Sequence, residues 1–134
     1  MDIVQIVDCK FCFKTLGYAI VEQAFEDYKK DLEFIKKWKN NLYIIQYPVT
    51  KTMLNKFRLK HSLSNKTDKQ LTDLFIKNKK LKLKQKLDDL KDINKFVMSD
   101  WYEILCPIID KRIAREQLEK YEKEILGDEI YLLN

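Results

Sequence analysis

A chain of 134 residues is one domain's worth, able to bury ~68% of its unfolded surface but too short for two independent cores. Its 46% hydrophobic content exclude a disordered chain, and its two glycines and two prolines are too few for the tight turns of an all-β domain. The 26 basic and 21 acidic residues leave a net charge of +5, and three cysteines, an odd number, do not make a disulfide framework.

No apolar run approaches the ~18 residues of a membrane span. Asp2 and Asp8 stand where a signal peptide carries positive charge. The expectation is a soluble protein of the bacterial cytoplasm with reduced thiols and no membrane partner.

Residues 2–14, DIVQIVDCKFCFK, place Ile3, Val7, Cys9, Phe11 and Phe13 at odd positions, which predicts a strand. Thr15 then caps a helix from Leu16 to about Lys39. Its inner face is Val21, Phe25, Tyr28, Leu32 and Ile35 at four-three spacing, with Glu22, Glu26, Lys29, Lys30, Glu33, Lys36 and Lys37 outside. Residues 42–47 read as a short strand ended by Pro48.

Residues 50–61 predict a short helix with Met53, Leu54 and Phe57 inward, broken by SLSNK. Thr67 followed by Gln70 and then Leu71, Leu74 and Phe75 is a capping box that starts another. The series Leu83, Leu87, Leu90, Asn94, Val97, Trp101, Ile104 advances by four and three, so the alternating KLKLK is a local accident inside a helix running to about Leu105. Pro107 stops it. Asp110 caps a last helix to about Leu126 with Ile113, Ala114, Leu118, Tyr121 and Ile125 inward, and Gly127 ends it. EIYLL at the C-terminus is a candidate third strand or packed tail.

The fold class is therefore mainly α: a compact bundle of four or five helices in a single domain, residues 1–134. A minor two- or three-stranded β element would come from the termini and residues 42–47.

Two segments carry a resemblance. AIVEQAFEDYKKDL, residues 19–32, is similar to the first-helix pattern of a group of small uncharacterised phage and prophage proteins of low-GC Gram-positive bacteria. INKFVMSDWYEILCPIID, residues 93–110, resembles that group's second pattern, a Phe, then Ser-acid-Trp-aromatic, then Leu and Asp. The group has Gly after the matched Asp110, where this chain has Lys111, and a second Phe and a basic residue where it has Val97 and Met98. The stretch between the two segments is much longer here, so residues 40–91 read as an added region. The resemblance implies a phage origin and carries no activity.

Charge is the strongest functional signal. Residues 51–86 hold twelve basic side chains, Lys51, Lys56, Arg58, Lys60, Lys66, Lys69, Lys77, Lys79, Lys80, Lys82, Lys84 and Lys86, against Asp68 and Asp73, hence +10, while the remainder is −5. Such a face concentrates polyanions, whether nucleic acid or an acidic protein surface. Trp38 and Tyr102 are candidate aromatic anchors at an interface. Helices 50–61 and 67–79 are ordered like a helix-turn-helix, although SLSNK lacks the usual Gly.

Catalytic constellations are missing from the sequence pattern. Cys9 and Cys12 form a C-x-x-C pair whose further zinc ligands could come only from Cys106 and His61. His61 reads as a turn residue. Glu22–Glu26 and Asp88–Asp92 read as helix surface, and two glycines leave no phosphate-cradling loop. No enzyme, cofactor or metal is expected.

The composite expectation is a non-enzymatic phage-type protein that binds and blocks a host protein or ribonucleoprotein complex, for example a defence nuclease, as anti-CRISPR inhibitors do. The alternative is a DNA- or RNA-binding accessory protein for phage replication, transcription or packaging. A homodimer through the helix face 83–104 is a third.

Overall fold

A computed structural model describes the backbone of residues 3–43 and 49–134, with side chains placed at 16–42 and 49–134. Five α-helices follow in order: α1 Ile3–Tyr43, α2 Lys51–Lys60, α3 Asp68–Val97, α4 Asp100–Leu105 and α5 Lys111–Leu126, then a 3-10 segment Gly127–Leu133. No strand occurs among the described residues.

The expected N-terminal strand is helix. Ile3, Val7 and Phe11 are four residues apart as well as odd-numbered, and no proline interrupts the segment, so α1 runs 41 residues, about 60 Å, with Thr15 inside it rather than capping it. Of the second expected strand, Leu42 and Tyr43 belong to α1 and residues 44–48 lie outside the described residues. The C-terminal tail is also helical, its Leu132 buried against the core.

Caps set the other boundaries. Thr50 Oγ1 accepts the Met53 N–H at 3.2 Å to open α2. Thr67 and Gln70 form the anticipated reciprocal box, with Gln70 N–H donating to Thr67 Oγ1 at 3.3 Å and Thr67 N–H to Gln70 Oε1 at 3.1 Å. Between them Ser62 takes a left-handed φ of 54°, and Leu63 N–H closes back on Arg58 O at 3.0 Å, so serine stands where helix ends favour glycine.

α3 is unbroken from Asp68 to Val97 but stops short of Leu105. Ser99 is the reason: its hydroxyl donates to Phe96 O at 2.6 Å and accepts from Tyr102 N–H, so the side chain ends one helix and caps the next. The break rotates the seam. Trp101 and Ile104 turn outward, Trp101 to 66% exposure, and Tyr102 and Cys106 turn in. Asp110 caps α5 through Arg112 N–H at 2.7 Å, and Gly127 ends it at φ 53°. Ala114 and Leu118 face inward as expected, whereas Ile113 is exposed.

The core lies along α1, whose Val21, Tyr28, Leu32, Ile35 and Trp38 are buried against α3, α4, α5 and the tail. Trp38 meets Phe75, Asp31 meets Lys86 and Tyr28 meets Asn94, so α1 and α3 are antiparallel. α5 runs with α1, pairing Phe25 with Tyr121, while Lys39 donates to Asn134 O at 2.9 Å. Gly17 sits where α1 crosses the end of α4. A Cβ there would collide with the Leu105 carbonyl oxygen.

Candidate anion-binding site

The twelve basic side chains of residues 51–86 do not form one patch. α2 carries Lys51, Lys56, Arg58 and Lys60, the linker carries Lys66, and α3 carries Lys69, Lys77, Lys79, Lys80, Lys82, Lys84 and Lys86. Arg58, Lys86 and Lys79 are among those held within the fold. Arg58 ion-pairs with Asp68 at 3.0 Å and donates to Lys66 O at 3.3 Å, tying the α2–α3 hairpin shut. Lys86 meets the buried Asp31 at 3.3 Å. Lys79 lies over aromatic rings, its Nζ 4.6 Å from the centroid of Trp38 and 5.5 Å from that of Phe75.

The remaining lysines separate by helical phase. Lys77, Lys80 and Lys84, three and four residues apart, share an outer face of α3 with Asp73, Ile76 and the exposed Leu81, around a shallow concavity of about 480 Å³, three ammonium groups to one carboxylate. Lys79 and Lys82 face α2 instead. There they join Lys56 and Lys60 around a hollow of about 230 Å³ that Trp38, Met53, Phe57, His61, Phe75 and Asn78 complete. The hollow has no carboxylate among its described lining residues.

Its aromatic wall is built from three helices. Phe57 and Phe75 pack edge to face with centroids 5.6 Å apart, Phe75 and Trp38 at 6.0 Å, and His61 lies 4.6 Å from Phe57 one turn along α2. Burial of Lys79 against this wall pulls its pKa below the ordinary lysine value, and Lys82, Lys37 and Lys60 push it the same way. The end of the bundle is thus positively charged and undersupplied with counter-charge.

The expected anchors are placed otherwise. Trp38 is buried at the floor of the hollow and Tyr102 is fully buried beneath α4, so neither stands at the surface as an interface anchor; the exposed tryptophan is Trp101. Helical spacing put Trp101 in and Tyr102 out, and the cap at Ser99 reversed both. Phe57, Phe75 and His61 were the residues missed as site residues. The spacing of Phe57 and His61 by one turn, with Lys56 and Lys60 at the same spacing beside them, was the available signal.

A second polar cluster crosses the middle of the bundle. Tyr28 O–H donates to Glu122 Oε1 and accepts from Asn94 Nδ2 at 3.2 Å, and Arg115 reaches Glu122 at 3.9 Å. Burial first, then the Glu122 acceptor, holds the Tyr28 phenol well above its ordinary pKa. The group joins α1, α3 and α5 around the buried Tyr28, with Arg115 at its solvent edge, a structural knot rather than a site.

Among the described residues no three His, Cys, Asp or Glu side chains are placed to hold a metal ion. The side chains of Cys9 and Cys12 lie outside them, and Cys106 is buried. No helix among the described residues is long and apolar enough to cross a membrane. Leu83, Leu90 and Val97 of the 83–104 face are buried in the chain's own core, while Trp101 and Ile104 of the same face are exposed. No protein-family model, curated protein or solved structure matches the chain.

Proposed function

We propose that this is a non-enzymatic, phage-type binding protein that acts by covering a polyanionic surface of a host macromolecule with the α2–α3 unit. A host ribonucleoprotein such as a defence nuclease complex is the partner class this reading names, in the manner of anti-CRISPR inhibitors. The observation that carries it is the contrast in charge balance. α5 neutralises its charges along the helix, Arg115 with Glu119 at 3.7 Å and Lys120 with Glu124 at 3.8 Å, whereas residues 51–86 set twelve bases against two acids. The unit's one arginine is already committed to Asp68, which leaves lysine point charges suited to a diffuse anionic surface rather than to reading base edges.

The test combines partner capture with charge reversal. Tagged protein drawn through lysate of a low-GC Gram-positive host should retain one stoichiometric partner after nuclease treatment, and Lys77→Glu with Lys80→Glu and Lys84→Glu should release it. Heterogeneous recovery that vanishes with nuclease would sink the blocking role. The accessory nucleic-acid-binding reading, which the aromatic hollow favours, would then take its place. In that case affinity for duplex or single strands should fall with log salt by a slope of about 0.7–0.9 per phosphate neutralised.

A further inference from the structure

The hollow between α1, α2 and α3 combines features that a general basic surface does not need. It has an aromatic wall of Trp38, Phe57 and Phe75, and ammonium groups of Lys56, Lys60 and Lys82 at its rim. The wall attracts flat rings. The rim attracts anions, and it does so without a carboxylate among the described lining residues to compete for the lysines.

Size narrows the ligand further. At about 230 Å³ the space falls below the roughly 300–1,000 Å³ typical of pockets for drug-sized ligands, so it accommodates one ring system with a substituent at the mouth. Lys79 adds the last element. Its ammonium lies on the faces of Trp38 and Phe75 with Lys37, Lys60 and Lys82 near enough to oppose its charge, an arrangement that an entering anion relieves.

We infer that this hollow is a binding site for a single phosphorylated nucleoside, the base lying against Phe57, the ring of the wall that Lys79 does not cover, close to Trp38, and the phosphate held by the rim lysines. A free nucleotide and an unpaired nucleotide of a strand present the same chemistry. The site stands apart from the polyanion surface proposed above, because Lys77, Lys80 and Lys84 lie on the other face of α3 and can act with the hollow empty.

The chain's two tryptophans make the test direct. Trp101 is exposed on α4, so a Trp101→Phe background leaves Trp38, at the floor of the hollow, as the sole tryptophan. Titration with adenosine monophosphate and with a single-stranded oligoadenylate of about ten nucleotides should give saturable quenching of Trp38 by at least one of them. Quenching by both assigns the site to free nucleotides. Quenching by the oligonucleotide alone assigns it to a strand.

Lys82→Glu or Lys60→Glu should weaken the quenching ligand about tenfold or more, each replacing an attraction by a repulsion. Phe57→Leu should weaken it roughly 5- to 100-fold, the range that removal of a stacking ring produces. Lys69→Glu changes net charge equally from outside the hollow and should have little effect. The inference is overturned if neither ligand quenches saturably, if inorganic phosphate displaces the ligand as well as unlabelled nucleotide does, or if Lys69→Glu costs as much as Lys82→Glu.

Discussion

The two halves of α3 carry the same number of charged side chains but meet different neighbours on α1. Residues 68–82 and 83–97 have seven each. In the second half α1 supplies matching polar partners, Asp31 for Lys86 and Tyr28 for Asn94. Beside the first half, α1 offers Phe34, Trp38 and another cation, Lys37, so Lys79 rests on rings and is crowded by like charge. The difference lies less in α3 than in the helix across from it. A lysine-rich helix keeps an excess of positive charge where its neighbour withholds carboxylates, and serves as a structural strut where it supplies them.

Five substitutions probe that contrast, beginning with the helix that both halves share. Leu32 is fully buried on α1, and Leu32→Ala should cost about 2–5 kcal/mol in chemical denaturation, whereas Leu81→Ala on the lysine face should stay within roughly 0.5 kcal/mol. Equal losses at the two sites would mean that the lysine face is packed rather than exposed. Next comes the knot in the middle of the bundle. Tyr28→Phe leaves Glu122 and Asn94 without their shared hydroxyl and should cost about 1–3 kcal/mol by the same assay.

In the lysine half the counterpart is local. Thr67→Ala removes one arm of the capping box and should cost about 1 kcal/mol, seen as faster hydrogen exchange confined to amides at the start of α3 rather than spread over the core. A global loss of protection would show that the hairpin and the core unfold as one unit.

The smallest effect is one of sign. Burial raises the Asp31 carboxyl above its ordinary value of 3.8, and Lys86 only partly opposes it. A folded-state value above the unfolded one means that the stabilising contribution is complete below the unfolded value and is lost as pH rises through the folded one. Asn does not titrate. The stability of Asp31→Asn relative to the parent should therefore rise from about pH 3.8 upward and then level off; a difference that falls with pH would show that the Lys86 pair outweighs burial.

Much of this architecture was legible in the residues themselves. The four-three stripe on α1, the capping box at Thr67 and the stop at Gly127 each depend on a few neighbours and a short-range rule, and each holds. What failed was whatever depended on choosing between two periods or two hydrogen-bond partners. Ile3, Val7 and Phe11 satisfy a strand and a helix alike. Ser99 has a hydroxyl that can cap, and once it does so every residue after it changes face. Trp101 and Tyr102 exchange roles for that reason alone.

The lysine surface was legible as charge but not as geometry. Composition counts Lys77 and Lys79 alike, yet a difference of two residues on a helix turns one outward and lays the other over Trp38. Phe57 and Phe75 read as core by hydrophobicity, and they do pack, but at the edge, where packing leaves a hollow. The sides of such a space come from residues about forty positions apart in the chain, beyond the reach of any local pattern.

The central place of α1 also has a consequence in time. It is synthesised before every element it packs against, and the partners of its buried face arrive in sequence, α3 and α4 before α5 and Leu132, which packs on the same core. On the ribosome the stripe of Val21, Leu32 and Ile35 therefore waits about a hundred residues for the last of these contacts. Early helix formation is local and fast, but closure of the core is long-range and late. Exposure to chaperones and to aggregation is consequently set by how quickly the segment from α5 to Leu132 follows α1 out of the exit tunnel.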